Sequence, residues 1–149
     1  MAENLLQLLL ADDDFDDCTF FKEALEELPV NAKLTTVNDG VQLMQLLCEK
    51  KEKLPDALFL DLNMPRKNGF DCLAEIKENQ KLKHLPVIIL STSFNPEVLN
   101  LLYERGAHYY IRKPSEFLML KNILLKSINL ISSGGNGNPA KEKFVLTMD

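Results

Sequence analysis

The stretch that decides the fold is residues 5–13, which read Leu5-Leu6-Gln7-Leu8-Leu9-Leu10-Ala11-Asp12-Asp13. Its apolar run is nearly continuous, which is typical of a central strand in a parallel sheet, because such a strand is covered on both faces. The run ends abruptly in carboxylates. We therefore predict a buried first strand whose carboxyl end presents Asp12 and Asp13 at one edge of a sheet.

Outward from this strand, short apolar runs alternate with amphipathic stretches. This alternation predicts consecutive βα units, and right-handed connections between them build a parallel sheet. Strands are predicted at residues 5–11, 33–37, 57–62, 86–90 and 109–112. The predicted fold is α/β, a doubly wound five-stranded parallel sheet of the flavodoxin-like order 2-1-3-4-5 with five helices.

Local signals predict where several helices begin and end. Pro29 stops the first helix, and Asn95-Pro96 supplies a cap and a first-turn proline to the fourth. Gly106 ends the fourth helix, and Ser115 is expected to cap the fifth.

The chain has 149 residues, of which 46% are hydrophobic, enough for one compact domain with a proper core. We predict a single domain over residues 1–132, followed at 133–149 by a flexible Gly/Asn-rich linker and a short C-terminal tail. A disordered end is the default expectation for such a tail. The apolar run Phe144-Val145-Leu146 leaves open a second possibility, docking on the chain's own core or on a partner.

Charge and hydrophobicity argue against two classes of partner. The formal net charge is −5 and the basic residues are dispersed, so neither nucleic acid nor an anionic membrane is an expected partner. No apolar run approaches the roughly 20 residues that cross a bilayer, and no signal-type segment opens the chain. We therefore predict a cytoplasmic protein.

Cysteine and histidine offer no obvious chemistry. Cys18, Cys48 and Cys72 lie far apart on apolar helical positions, which predicts buried thiols. Neither His84 nor His108 is followed by a ligand-type residue three or four positions later, so neither is a candidate metal ligand.

A further acidic residue and a lysine lie at the ends of other predicted strands. Asp61 stands at the end of the third strand, after Leu58-Phe59-Leu60, and Lys113-Pro114 follow the fifth. In a doubly wound sheet the ligand crevice lies between strands one and three, so Asp61 should meet Asp12 and Asp13 there. Such carboxylates repel one another, whereas a divalent cation reverses that repulsion, and Mg²⁺ suits a site with few carboxylates.

Simpler interpretations of these residues also exist. Negative charge at Asp12–Asp14 stabilises a helix N-terminus by itself, and most lysines lie on the surface. Neither explanation accounts for an acid and a lysine together at the ends of other strands. A cis Lys113–Pro114 bond would fix the direction of the lysine.

The motifs, taken in order, resemble the response-regulator receiver domain, the phosphoacceptor part of two-component signalling. The resemblance covers Leu5 to about Leu130. It rests on Asp12-Asp13, the run Asp61-Leu62-Asn63-Met64-Pro65-Arg66-Lys67-Asn68-Gly69, Ser91, Tyr110 and Lys113-Pro114. The Asp61 loop is most similar to that of single-domain regulators of the cyanobacterial-phytochrome type.

The resemblance implies a role for each matching residue. Asp61 would take a phosphoryl group from a phosphohistidine of a sensor histidine kinase or a phosphotransfer protein, with Lys113 pairing to a phosphoryl oxygen. Mg²⁺ would be held by three carboxylates and one main-chain carbonyl, those of Asp12, Asp13, Asp61 and Asn63. Ser91 and Tyr110 would form the switch, because Ser91 would move its hydroxyl onto a phosphoryl oxygen and leave room for the Tyr110 ring to turn inward. Asn63 and Thr92 would tune dephosphorylation because they flank the path of attacking water.

The fourth and fifth helices carry more apolar residues than one buried face requires, namely Leu99, Leu102, Tyr103, Leu118, Met119 and Leu125. This excess predicts a surface for homodimerisation or partner docking, with extra core as the alternative.

Three other functions compete. A haloacid-dehalogenase-type phosphatase needs a general acid two residues after its nucleophile, where this chain has Asn63. A flavodoxin-like electron carrier is disfavoured because the acids at Asp12–Asp14 would repel a flavin phosphate. A pseudo-receiver, an interaction module that is never phosphorylated, is the strongest alternative, although such proteins usually lose an acidic or lysine position that this chain keeps.

Overall fold

A computed structural model of the protein describes residues 5–49, 54–92, 95–133 and 139–147. Strands and helices alternate along these residues. In chain order they are β1 (Leu6–Ala11), α1 (Phe15–Glu26), β2 (Ala32–Val37), α2 (Gly40–Glu49), β3 (Ala57–Asp61), α3 (Gly69–Glu78), β4 (Val87–Ser91), α4 (Pro96–Glu104), β5 (Tyr109–Arg112) and α5 (Phe117–Ser132), and a short 3₁₀ turn follows at Lys141–Lys143.

The five strands form one parallel sheet in the order β2-β1-β3-β4-β5, which confirms the predicted topology. The register aligns the carboxyl ends of the central strands: Ala11 pairs with Leu60, Asp61 with Leu90, and Ser91 with Arg112. Residues just past these ends therefore meet at one edge of the sheet, as expected for a doubly wound fold.

The sheet separates two hydrophobic layers. On one face, α2, α3 and α4 pack through residues such as Leu43, Leu73 and Leu102. On the other face, α1 and α5 pack through residues such as Phe21 and Leu124. Every residue of β3 and β4 is buried, which is why both strands are apolar up to their last residues, Asp61 and Ser91.

Most predicted helix ends agree with the structure. The first helix ends at Glu26, three residues before Pro29, and the Asn95 side chain accepts from the N–H groups of Glu97 and Val98. Gly106 has a positive φ of 95°, a conformation that glycine adopts at little cost after a helix.

The predicted cap at Ser115 is wrong. Helix α5 starts at Phe117 with Glu116 at the capping position, and Glu116 makes no side-chain cap hydrogen bond. The chain bends through Ser115 and Glu116 before it becomes helical. The ring of Phe117 then packs edge-on against Phe20 of α1, with centroids 5.4 Å apart, so an aromatic contact accompanies the helix start in place of a hydroxyl cap.

Two of the three cysteines are buried as predicted. Cys18 and Cys72 lie in the core, and burial raises the pKa of each thiol to about 11, which leaves both poor nucleophiles. Cys48 is exposed, so the prediction is wrong at this position. The inner face of α2 is already filled by Leu43, Met44 and Leu47, and Cys48 falls beyond that face.

The C-terminal tail docks against the sheet, which differs from the default expectation of a disordered end. Phe144 and Leu146 are buried, and Val145 forms a parallel bridge with Tyr110 of β5. Phe144 joins the layer containing α4, whereas Leu146 joins the layer containing α5. The tail therefore covers the sheet edge by filling both layers. The Gly/Asn-rich linker at 134–138 lies outside the described residues.

Within the described ranges, no helix combines the length and the apolar character that crossing a membrane requires.

Candidate phosphoryl-acceptor site

Three carboxylates meet at the carboxyl edge of the sheet. Asp12 and Asp13 follow β1, and Asp61 is the last residue of the neighbouring strand β3. One carboxylate oxygen from each lies within 4.8 Å of the others. Asp12 and Asp61 are buried and Asp13 is exposed, so the cluster has a closed base and an open rim.

Lys113 reaches into this cluster from the end of β5. Its Nζ donates to Asp12 Oδ2 at 2.9 Å and to Asp61 Oδ2 at 3.3 Å. It also donates at 2.9 Å to Asp17 Oδ2, in the first turn of α1. The structure thus gives the lysine three carboxylate partners, one of which, Asp17, was not among the predicted site residues.

Asp17 is a site residue that the sequence analysis missed. An acidic residue in the first turn of a helix is already explained by the helix dipole, so its type and position carry no separate signal. Only the approach of Lys113 across the β1–α1 connection distinguishes Asp17 from its neighbour Asp16, which is exposed.

The peptide bond between Lys113 and Pro114 is trans, since no cis bond occurs in the described part of the chain. The direction of the lysine is set by other contacts. Its main-chain N–H donates to the carbonyl of Ser91 at 2.9 Å, and its ammonium is held by the three carboxylates. The idea of a cis bond that orients Lys113 is therefore wrong.

Burial dominates the electrostatics of Asp61. It raises the pKa of this carboxyl to about 6, against the lowering effect of Lys113, and the neighbouring charge of Asp12 raises it further. Burial also lowers the pKa of Lys113, but hydrogen bonds to Asp12 and Asp17 outweigh it and the lysine pKa rises above its ordinary value. Lys113 therefore stays charged, and the cluster keeps an excess of negative charge.

The loop after β3 is held close beneath Asp61. The Asn63 N–H donates to Asp61 Oδ1 at 3.3 Å, and the Gly69 N–H donates to the Leu62 carbonyl at 3.0 Å. A Cβ on Gly69 would stand 2.5 Å from the Asp61 carbonyl oxygen, so only glycine fits there. This return contact holds the loop against the end of β3.

Ser91 and Tyr110 lie together behind the carboxylates. Both side chains are buried, and a hydrogen bond joins them. The resemblance implied that the Tyr110 ring turns inward when the protein is phosphorylated, but here the ring is already inside. Thr92, the next residue after Ser91, is exposed, as is Asn63.

The residues fit a hard divalent cation. The donor set consists of oxygen atoms alone, from Asp12, Asp13 and Asp61, and an open rim leaves room for water and phosphate oxygens. The loop that carries the Asn63 carbonyl starts at the same strand end.

The predicted apolar surface on α4 and α5 is divided by the structure. Leu102 is buried, and Leu99, Tyr103 and Leu125 are half-buried against the core, which supports the extra-core interpretation for these residues. Leu118 and Met119 of α5 remain exposed, at 64% and 39%.

Comparisons with known proteins agree with this geometry. A family model described as "Response regulator receiver domain" matches residues 8–125. Response regulator Rcp1 of Synechocystis sp. is 34% identical over 110 residues, which covers 71% of this chain and 75% of Rcp1.

Solved structures give the same result. The phosphorylated cyanobacterial phytochrome response regulator RcpA superposes with a TM-score of 0.78 at 32% identity, covering 89% of this chain and 98% of RcpA. The Mn²⁺-bound form of Rcp1 has a TM-score of 0.76 at 29% identity, covering 91% of this chain and 99% of that one. The resemblance to regulators of the cyanobacterial-phytochrome type is thereby confirmed, and this chain belongs to the response regulator receiver domain family of two-component signalling.

Proposed function

We propose that this protein receives a phosphoryl group on Asp61 from a phosphohistidine of a sensor histidine kinase or a phosphotransfer protein. The single observation that supports this role best is the placement of Asp61, buried at a strand end with Asp12 on one side and the Lys113 ammonium 3.3 Å away. Because Asp12 and Asp61 are buried and Asp13 is exposed, a phosphoryl donor would approach from the side of Asp13.

The chemical step needs little covalent help from the protein. An oxygen of the Asp61 carboxylate attacks phosphorus, the phosphorus–nitrogen bond breaks, and its electron pair leaves with the imidazole of the donor. Since the transition state is loose and anionic, positioning and charge neutralisation are the main requirements. Lys113 supplies positive charge next to the attacking oxygen, and the Asn63 N–H orients the carboxylate through Oδ1.

Asp12, Asp13 and Asp61 would hold Mg²⁺, with the main-chain carbonyl of Asn63 as a further ligand. When bound, the ion supplies neutralisation of the phosphoryl charge. Two observations support a divalent ion in this chain. The similar protein Rcp1 has a solved structure in its Mn²⁺-bound form, and the donor set of this chain consists of oxygen atoms alone.

The protein would catalyse only its own phosphorylation and dephosphorylation, and its phosphorylated surface would carry the signal. Ser91 would place its hydroxyl on a phosphoryl oxygen, Tyr110 would respond to that movement, and Thr92 with Asn63 would limit the approach of water. The exposed Leu118 and Met119 support homodimerisation through the fourth and fifth helices. A cytoplasmic location stays a prediction.

Incubation with Mg²⁺ and acetyl phosphate tests the proposal, with intact mass and size exclusion measured on the same samples. We expect a labile, Mg²⁺-dependent phosphate adduct that is lost in Asp61→Asn. Asp16→Asn is the matched control, because this acid is exposed in the first turn of α1.

Folded protein that binds Mg²⁺ but forms no adduct would favour the pseudo-receiver, a module that interacts without being phosphorylated. A monomer in both states, independent of concentration, would reject the homodimer.

A further inference from the structure

The loop between β3 and α3 contains the one non-glycine residue of the described ranges whose φ is positive. That residue is Arg66, with a φ of 66°. The Lys67 N–H closes a three-residue turn around it by donating to the Pro65 carbonyl at 2.6 Å. Turns of this type are rare and strained, because a side chain at the left-handed position crowds the backbone. Such a conformation persists only where surrounding contacts hold it.

A contact that holds Arg66 comes from the connection between β2 and α2. Its guanidinium donates from Nη1 to Asp39 Oδ2 at 3.4 Å and forms an ion pair. The Asp39 side chain is 9% exposed, whereas that of Arg66 is 60% exposed. The other carboxylate oxygen of Asp39 accepts from the Gln42 N–H at 2.8 Å, in the first turn of α2. A buried and fixed acid therefore meets the tip of a strained loop.

Gly40 lets the same connection approach the loop closely. A Cβ at this position would collide with the main-chain carbonyl of Lys67. Asn38, two residues before the glycine, donates from Nδ2 to the carbonyl of Asp12 at 3.4 Å. The turn at residues 38–40 thus contacts both the end of β1 and the loop that follows β3, which are two of the segments that meet in the acidic cluster.

The strained turn lies close in sequence to a residue that serves the acidic site. The Asn63 N–H donates to Asp61 Oδ1, and the Asn63 carbonyl is the proposed main-chain ligand of Mg²⁺. Only Met64 and Pro65 separate Asn63 from Arg66, and the proline ring fixes φ at one of these two positions. A change in the backbone at Arg66 is therefore readily passed to Asn63.

We propose that Arg66 is a positioning residue for the metal and phosphoryl site. Its ion pair with Asp39 offsets the strain of the loop and so keeps Asn63 directed at Asp61. This inference rests on the proposed function. The guanidinium acts indirectly, because its partner Asp39 lies outside the acidic cluster.

The sign of the effect on Mg²⁺ affinity separates positioning from simple charge. A cation in the loop beside the carboxylates repels a second cation, so its removal should by itself strengthen Mg²⁺ binding. Loosening the Asn63 carbonyl should instead weaken the binding. The proposal therefore predicts the change that charge alone would not give.

Hydrogen exchange of the full chain without Mg²⁺ tests the loop itself. We expect the Asn63 and Lys67 amides to exchange roughly two- to fivefold faster in Arg66→Met than in the unmodified protein, as for the loss of one partly exposed ion pair. Methionine keeps the length of the side chain and removes its charge. Lys121→Met is the matched control, since it removes the same charge from an ion pair with Glu27 at the C-terminal end of α1. Equal exchange of the loop amides in Arg66→Met and in the control overturns the proposal.

Calorimetric titration with Mg²⁺ tests the consequence for the site. Arg66→Met should bind Mg²⁺ roughly two- to fivefold more weakly than the unmodified protein. Asp39→Asn, which keeps an oxygen for the Gln42 N–H, should lose a similar factor, and the double variant should lose no more than either single variant. Tighter binding in Arg66→Met, or losses that multiply in the double variant, would overturn the proposal.

Arg66→Asn separates the ion pair from the backbone strain that it offsets. Asparagine lacks the guanidinium but adopts the left-handed conformation more readily than most residues. It should therefore bind Mg²⁺ nearly as well as the unmodified protein. A loss as large as that of Arg66→Met would show that strain is not what the ion pair offsets, and the proposal would fail.

Formation of the acetyl phosphate adduct, followed by intact mass, distinguishes failure of this inference from failure of the proposed function. If the unmodified protein binds Mg²⁺ and forms the adduct, and Arg66→Met behaves identically, the inference alone is overturned. If the unmodified protein forms no adduct, the proposed function is overturned, and exchange of the loop amides then decides the role of the ion pair by itself.

Discussion

The carboxylate of Asp17 lies 2.9 Å from the ammonium of Lys113, as close as the carboxylate of Asp12. The two acids differ in their surroundings, since the Asp17 side chain is 43% exposed and that of Asp12 is 2% exposed. An exposed partner holds the lysine weakly because solvent screens the attraction. In the proposed mechanism Asp17 would therefore compete with a phosphoryl oxygen for Lys113, and its displacement would cost little.

Asp17→Asn should accelerate formation of the acetyl phosphate adduct about two- to fivefold, which corresponds to the ~0.5–1 kcal/mol of an exposed ion pair. The measurement is adduct mass against time at fixed Mg²⁺. Asp16→Asn should not change the rate. Slower adduct formation in Asp17→Asn would instead mean that Asp17 positions the lysine.

Thr92 follows the buried Ser91 and is itself exposed beside the strand end. Replacement by alanine should shorten the lifetime of the phosphorylated form several-fold, because less side chain obstructs the path of water to the acyl phosphate. Decay of the adduct mass after removal of the phosphodonor gives the rate. Thr92→Val keeps the volume and should decay like the unmodified protein, and a longer lifetime in Thr92→Ala would contradict the prediction.

Affinity for Mg²⁺ should depend on pH because of Asp61. Its pKa is raised to about 6 by burial, so protons compete with the cation below that pH. We expect affinity to be nearly constant above pH 7 and to fall by up to about tenfold per pH unit below pH 6. Calorimetric titration at several pH values measures this slope. The slope in that range should be much weaker in Asp61→Asn, where the competing proton site is gone.

Folding stability should fall as the solution is acidified, in part because of His108. Burial lowers the pKa of this imidazole to about 4, with a further lowering by Lys77, and Nδ1 accepts the N–H of Val87 at 3.2 Å. The unfolded chain takes up a proton near pH 6.5, whereas the folded protein resists protonation until about pH 4. The stabilisation is therefore complete above pH 7 and is lost as pH falls towards 4.

Between pH 7 and pH 5 the loss from this one group should be about 2 kcal/mol. Urea unfolding at the two pH values measures it. His108→Gln retains an acceptor and should show a pH dependence smaller by that amount. An equal dependence in both proteins would show that His108 does not contribute.

The features that the sequence predicted well are those with a physical origin inside one segment or between neighbouring strands. The apolar run before Asp12 identifies a strand covered on both faces, and the acids at the ends of the first and third strands must meet once those strands are neighbours. The acidic cluster could therefore be predicted as soon as the order of the strands was predicted. The prediction of a cap at Ser115 was wrong, and the helix instead starts at Phe117, whose ring contacts Phe20 of another helix, a contact that no local signal indicates.

The features that the sequence did not predict arise between distant segments. Asp17 contacts Lys113 across 96 positions, and its residue type has an ordinary local explanation. Phe144 and Leu146 stand after a glycine-rich stretch, and nothing local indicates which edge of the sheet they would cover. Such contacts appear only when the elements are assembled.

The docked tail also has a consequence for solubility. In this sheet β2 and β5 are the outer strands, and an uncovered outer strand offers unpaired N–H and C=O groups to any extended chain nearby. Residues 144–146 form hydrogen bonds with the N–H and C=O groups of Tyr110. Tyr110 and its neighbour Ile111 are the most deeply buried residues of β5. A protein that lost its last residues would expose this edge, so truncation is expected to promote edge-to-edge aggregation at high concentration.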